Sequence, residues 1–222
     1  MNKIIWALFD DGYGSWNKLG KTNILSFGCN ENKEWKNYYK IDLSITNENL
    51  IKQLEKLPKP DIIIASPPCE SWSIANNQQR LWRIQKGRNI EVFTQQDINN
   101  NNNKHKPQLK RYYYRSWKTT LLGISTALAT AQIIQHFKPK IWIIENPKTS
   151  KIWEFFNENI ILDGKIENNT YYNNYNDVDF SKKPTKFLSN INLNLKNDNS
   201  IKSKIKCENV SGYNKRSAIP KE

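Results

Sequence analysis

Cysteine is scarce: Cys29, Cys69 and Cys207 are the only three in 222 residues, and they lie far apart. That spacing excludes a disulfide framework and offers no metal-ligand pattern, so no metal site is expected. Acids are also in deficit, with 21 Asp and Glu against 34 Lys and Arg, a net charge of +13 and a pI near 9.5. A polyanion is the partner that such a balance suits. Asn, Lys and Ile are abundant, the bias of an AT-rich coding genome, so part of the charge is compositional. No apolar run is long enough to span a bilayer and no basic amphipathic helix is visible, which favours nucleic acid over membrane. The first residues enter a strand-like pattern directly, without signal-peptide architecture, and a reducing cytoplasm fits. There are no internal repeats and no clear linker, so one domain over residues 1–222, acting as a monomer, is expected.

What is present is a series of short apolar runs alternating with helical patterns. Ile4 to Phe9 reads as a first strand that ends in Asp10-Asp11-Gly12-Tyr13-Gly14-Ser15. Ile24 to Phe27 and Tyr38 to Ile41 read as the second and third, the latter closing on Asp42. Asn47 can cap a helix through Lys56, and Ile62 to Ala65 is the fourth strand. Residues 77–118 are polar and basic, with Asn99 to Asn103 reading as solvated loop. Thr119 to Phe137 follows as a helix, with Leu122, Thr126, Ala129, Ile133 and Phe137 at helical spacing. Ile141 to Ile144 is the fifth strand and ends at Glu145-Asn146-Pro147. A short helix over 149–156 and strand-like pieces at Asn169 to Tyr172 and Lys186 to Leu188 complete the pattern. The alternation predicts an α/β fold: a mainly parallel, doubly wound sheet with a basic insertion after strand four.

Three strand ends carry unusual residues, and in such a sheet they lie together at its carboxyl edge. Cys69 follows Pro67-Pro68, whose fixed φ stiffens the loop and keeps Ser66 and Pro67 out of the helical region. A thiol held this way is a candidate nucleophile; a buried structural cysteine is the other reading. Gly12 and Gly14 permit close backbone approach to a ligand, or simply make a turn. Asp42 can accept from an adenine amine or cap its strand. Glu145 ends an apolar strand, where desolvation favours the protonated form and makes it a candidate proton donor; a structural carboxylate is the alternative.

Together these segments resemble one family, the S-adenosyl-L-methionine-dependent DNA cytosine-5 methyltransferases, in a short phage-type form. Ser66-Pro67-Pro68-Cys69 resembles the family's Pro-Cys motif, and Glu145-Asn146-Pro147 its Glu-Asn-Val motif. Leu8 to Ser15 is similar to its glycine-rich cofactor loop, and Lys183 to Asn190 to the Lys-x-Thr strand of shorter members. Tyr213 to Pro220 is similar to its late motif. The resemblance implies a Rossmann-like class I methyltransferase with Cys69 and Glu145 catalytic. It implies cofactor contacts from Phe9, Gly12, Gly14, Asp42, Pro68, Ser217 and Ile219. Nucleic-acid contacts are implied for Trp72 and Ser73, with Lys186 near the cytosine O2.

The 77–118 segment interleaves cations, among them Arg80, Arg83 and Arg88, with Trp82, Tyr112 to Tyr114 and Trp117. Cations neutralise phosphates and aromatic faces stack on unpaired bases, so contact with DNA is expected there, with a solvated insertion as the alternative. Several features depart from the family pattern, among them the two acids Asp10 and Asp11 in the glycine-rich loop. Phe27-Gly28-Cys29-Asn30 has no acid where the family grips the ribose, and Ser217 replaces an asparagine. A DNA-binding relative without activity and an RNA-directed enzyme are therefore the alternatives to a DNA methyltransferase.

Overall fold

The computed structural model describes residues 3–10, 14–31, 35–72, 82–84, 90–92, 94–104, 112–176 and 180–204. Branched apolar residues build the centre of the sheet: β1 (Ile5–Leu8), β2 (Ile24–Gly28), β4 (Ile62–Ala65) and β7 (Ile141–Pro147), with β3 (Tyr38–Lys40) outside β2. Such runs suit strands buried on both faces. The strand order is β3-β2-β1-β4-β7-β9-β8, where β8 is Ile166–Tyr171 and β9 is Pro184–Ser189. The first five strands are parallel; β9 runs antiparallel to both β7 and β8.

The chain leaves β1 towards β2 and β3, then crosses back to place β4 on the other side of β1. That reversal makes the carboxyl ends of β1 and β4 a switch point, where open α/β sheets bind ligands. Register sharpens the point. Leu8 stands beside Phe27 and Ala65, and Ala65 beside Ile144, so the loops after these strands leave the sheet at one level. The expected mainly parallel α/β sheet is present, with an antiparallel pair at one edge.

The core runs along this sheet. Trp6 packs its ring 5.2 Å from Phe27 and 4.7 Å from Phe137, which docks the end of α3 (Tyr113–Phe137) onto β1. Asn190, the last residue of the Lys-x-Thr motif, accepts from Trp142 N–H at 3.0 Å and donates to Lys140 C=O at 3.0 Å. Its role is to bind the start of β7.

The helices differ in places from the sequence expectation. Between Asn47 and Lys56 only Leu50–Leu54, α1, is α-helical. Helix α3 begins six residues earlier than expected, because Tyr113 and Trp117 meet edge-on one turn apart while Tyr112 provides no side-chain cap to announce the start. Within the insertion, β5 (Trp82–Ile84) and β6 (Ile90–Val92) pair antiparallel. The asparagine run is largely helix rather than loop, as part of α2 (Gln95–Asn102). Thr94 and Asp97 make its capping box, Asp97 N–H to Thr94 Oγ1 at 3.2 Å and Thr94 N–H to Asp97 Oδ2 at 2.8 Å, and Ile98 is buried. The following helix, α4 (Ile152–Asn159), starts three residues after the expected point. Among the described residues no helix is long and apolar enough to cross a membrane.

Gly123 is where a helix meets the cysteine loop. A Cβ there would overlap the side chain of Ser71, two residues beyond Cys69. Gly123→Ala gains about 1 kcal/mol of helix propensity, but overpacking of this kind costs about 1–3 kcal/mol. We expect a net loss of stability by urea unfolding, relieved when Ser71→Gly is added.

Candidate functional site

The loop after β1 is held from beneath. Phe9 takes a left-handed φ of 62°, which turns Asp10 inward to 6 % exposure. The Asp10 carboxylate then accepts from Trp16 N–H at 3.1 Å, Asn17 N–H at 2.8 Å and the Ser26 hydroxyl at 2.9 Å. This acid is occupied in closing the loop. Gly14 has a φ of 65°, and the indole of Trp35 lies where its Cβ would be. Glycine is required there by both conformation and packing.

The cysteine loop is tied on three sides. Ser66 N–H donates to Leu8 C=O at 3.1 Å, and Trp72 N–H to Cys69 C=O at 3.0 Å. From β7, the Asn146 side-chain amide donates to Pro67 C=O at 2.9 Å. Ser71 bonds the Thr119 carbonyl on α3. Cys69 is half-buried at the end of this frame.

Glu145, one residue before Asn146, is 7 % exposed. Its Oε1 accepts from the Tyr172 hydroxyl at 3.1 Å, and Lys183 Nζ lies 4.9 Å from the Tyr172 ring centroid. Burial first, and then the negative charge of Glu145, push the Tyr172 phenol well above its ordinary range.

These loops enclose a cavity of about 310 Å³. Phe9, Gly14, Asp42, Pro68, Cys69 and Glu145 all line it, so the sequence candidates from four strand ends converge on one space. Asp42 is exposed and accepts from Ser44 N–H at 3.1 Å. Ser66 Oγ and Asn146 Oδ1 are buried in the lining without a protein partner, leaving two polar positions for a ligand. No group of three His, Cys, Asp or Glu residues among the described residues is placed to hold a metal.

Two expected nucleic-acid contacts are corrected. Trp72 is fully buried, with its ring 5.1 Å from Phe155 of α4, so it packs the loop against the body. Lys186 does not line the cavity; it pairs with Glu167 at 2.7 Å and lies 5.6 Å from the Trp153 ring. Alternation along β9 sends it away from Thr185, and Lys183 is the cation in the lining. Gly12, Ser73, Arg80, Arg88, Ser217 and Ile219 lie outside the described residues, as does the side chain of Arg83 in β5.

Sequence reasoning missed Tyr172, Lys183, Leu122 and Thr126 as lining or supporting residues. Lys183 stood inside a motif already singled out. Tyr172 carried no local signal, since it lies in an Asn- and Tyr-rich stretch and meets Glu145 only through the fold.

Residues 15–116 match the family model for C-5 cytosine-specific DNA methylase. No match was found among curated proteins. Among solved structures, the chain is similar to the Entamoeba histolytica methyltransferase EhMeth, at 14% identity over 93% of this chain and 58% of that one, with a TM-score of 0.48. The S. pombe Dnmt2 methyltransferase gives 14% identity over 88% and 51%, with a TM-score of 0.44. A prophage-encoded E. coli protein described as a DNA modification methyltransferase gives 15% over 85% and 46%, with a TM-score of 0.41. The chain spans about half the length of these structures. The stretch similar to that family, residues 15–116, includes the Pro-Pro-Cys loop.

Proposed function

We propose that this chain is a DNA cytosine-5 methyltransferase, working as one catalytic domain over residues 1–222, as a monomer in the cytoplasm. The observation that carries the reading is that Cys69 and Glu145, from adjacent strand ends, line one cavity with the loop after β1. The lining fits S-adenosyl-L-methionine as methyl donor. Phe9 and Leu43 offer apolar surface, the Asp42 carboxylate an acceptor for an amine, and Gly14 to Trp16 a closely approachable backbone. When bound, that cofactor supplies an electrophilic methyl group.

The protein's task is to make C5 of cytosine nucleophilic. The base must first leave the duplex stack to reach the cavity. The Cys69 thiolate attacks C6, and the Glu145 carboxyl protonates N3, which neutralises the negative charge developing there. C5 then takes the methyl group, a base removes the C5 proton, and the thiolate departs. Sulfur suits both ends of this cycle, being strongly nucleophilic and able to leave again. On the outside, Tyr112 and Tyr114 are 69 % and 77 % exposed beside the exposed Arg115 and Lys118. Cations and aromatic faces so interleaved suit phosphates and unstacked bases, and they supply what Trp72 and Lys186 do not.

A second reading has one specific observation behind it. At the end of β2 the cavity meets Gly28 and Cys29, while Glu31 is exposed and paired with Lys40. A chain without an acid on the ribose hydroxyls can bind DNA and transfer no methyl group.

Labelled S-adenosyl-L-methionine with separate DNA and RNA substrates distinguishes these readings. Label is expected in DNA, and Cys69→Ser should lower its incorporation by at least about 10³-fold, the scale of losing a covalent route. Label in RNA alone would redirect the reading to an RNA enzyme. DNA binding without cofactor uptake in calorimetry would support the second reading. In the same calorimetry, Gly14→Ala should weaken cofactor binding by about tenfold or more, because the new methyl group meets Trp35 at a left-handed φ.

A further inference from the structure

Tyr172 is 2 % exposed and has no part in the chemistry outlined above. It opens the 3-10 turn after β8, and its ring packs edge-on against Phe180 at 6.2 Å. Its hydroxyl donates to Glu145 Oε1 at 3.1 Å. Strand β9 lies between β7, which carries Glu145, and β8, which leads into Tyr172, so this bond reaches across the strand between them.

A phenol has one hydrogen to donate. Here that hydrogen goes to Glu145 Oε1. In a neutral carboxyl group the carbonyl oxygen is the stronger acceptor, so a donor held at Oε1 favours the acid's proton on Oε2. Burial above all holds the Tyr172 phenol in its protonated form.

We propose that Tyr172 is a positioning residue: it reserves Glu145 Oε1 as an acceptor, so that the proton of the neutral acid sits on Oε2 and is passed from there to the ring nitrogen of the pyrimidine. The inference rests on the methyltransferase reading above and assigns a new residue to it. As the Cys69 Sγ–C6 bond forms, the electron pair displaced from the ring reaches N3, which takes the proton from Oε2. Glu145 is left as a carboxylate, whose Oε1 keeps the Tyr172 hydrogen bond. When Sγ leaves C6 the proton returns from N3 to Oε2. The ionisable groups around Glu145 are Tyr172 from the turn after β8, Cys69 from the loop after β4 and Lys183 ahead of β9. Asp10 and Asp42 line the same cavity from the ends of β1 and β3.

Tyr172→Phe in the full chain keeps the ring and removes the donor. We expect kcat to fall about tenfold, the scale of one hydrogen bond to a charged group, with KM for DNA within about twofold. A carboxylate that loses a donor is disfavoured, so the alkaline limb of the kcat–pH profile should move to higher pH. Infrared difference spectra of protein labelled with ¹³C-glutamate, with the Glu145 band identified by Glu145→Gln, supply a readout that needs no turnover. There the C=O stretch of the neutral acid should rise in frequency in Tyr172→Phe, and its titration midpoint should move the same way. 3-Fluorotyrosine in place of Tyr172, a stronger donor of nearly the same shape, should move the band the opposite way and serves if Tyr172→Phe does not fold. A wild type that methylates DNA, with the band and pH profile unmoved in the variants, overturns the role of Tyr172. A lowered kcat with an unmoved band and profile overturns it too, as a packing effect. A wild type that transfers no methyl group, while the band moves as expected, overturns the methyltransferase reading and retains the positioning of Glu145.

Discussion

The side-chain amide of Asn146 donates to the carbonyl of Pro67 at 2.9 Å, and the candidate site depends on that bond. It joins the end of β7 to the loop after β4, and so joins the residue next to Glu145 to the segment that carries Cys69. Parallel pairing of β4 with β7 brings the two ends to one level, with Ala65 opposite Ile144. Pairing alone leaves the loops free to diverge once the ladder stops. The amide bond closes that freedom with a buried donor, whose loss would leave a polar group unsatisfied.

Much of the polar chemistry near the cavity serves to hold backbone in place. Asp10 is an acid at the carboxyl edge, yet Trp16 N–H, Asn17 N–H and the Ser26 hydroxyl, which donate to it, belong to the loop and to β2. The close approaches of Trp35 to Gly14 and of Ser71 to Gly123 act in the same way through packing, each using the space of a missing Cβ. A reacting thiol and carboxyl need positions held to a fraction of an ångström, and a frame of short, buried contacts is how a loop reaches that precision. Glu145, Asp42, Ser66 and Asn146 are among the polar residues that line the cavity, with Cys69 and Lys183.

Local pattern made the strands and the main cavity residues legible. Ile62 to Ala65 is a strand because four apolar residues bounded by Asp61 and Pro67 have little else to become, and its ends match the expectation residue for residue. Phe9, Asp42, Pro68, Cys69 and Glu145 follow from such strands, because a residue just past a parallel strand lies at the ligand edge whatever its neighbours. Trp72 misled for the opposite reason. An aromatic beside a nucleophile reads alike whether it meets a base or a core, and contact with Phe155 decides it. Lys186 misled by one pleat: its neighbours in β9 face the other way, and Glu167 on β8 takes its charge.

Order along the chain, through apolar runs, proline pairs and glycines, was sufficient to determine an α/β sheet with a thiol and a carboxyl at its carboxyl edge. Those signals act over a few residues, within the reach of backbone sterics and hydrophobic periodicity. Tertiary structure alone decided that Tyr172 meets Glu145, that Lys183 rather than Lys186 enters the cavity, and that Asp10 turns inward. Each of these is a contact between residues remote in sequence or a choice between two sides of a strand. Their energies depend on burial and geometry that exist only once the sheet has formed.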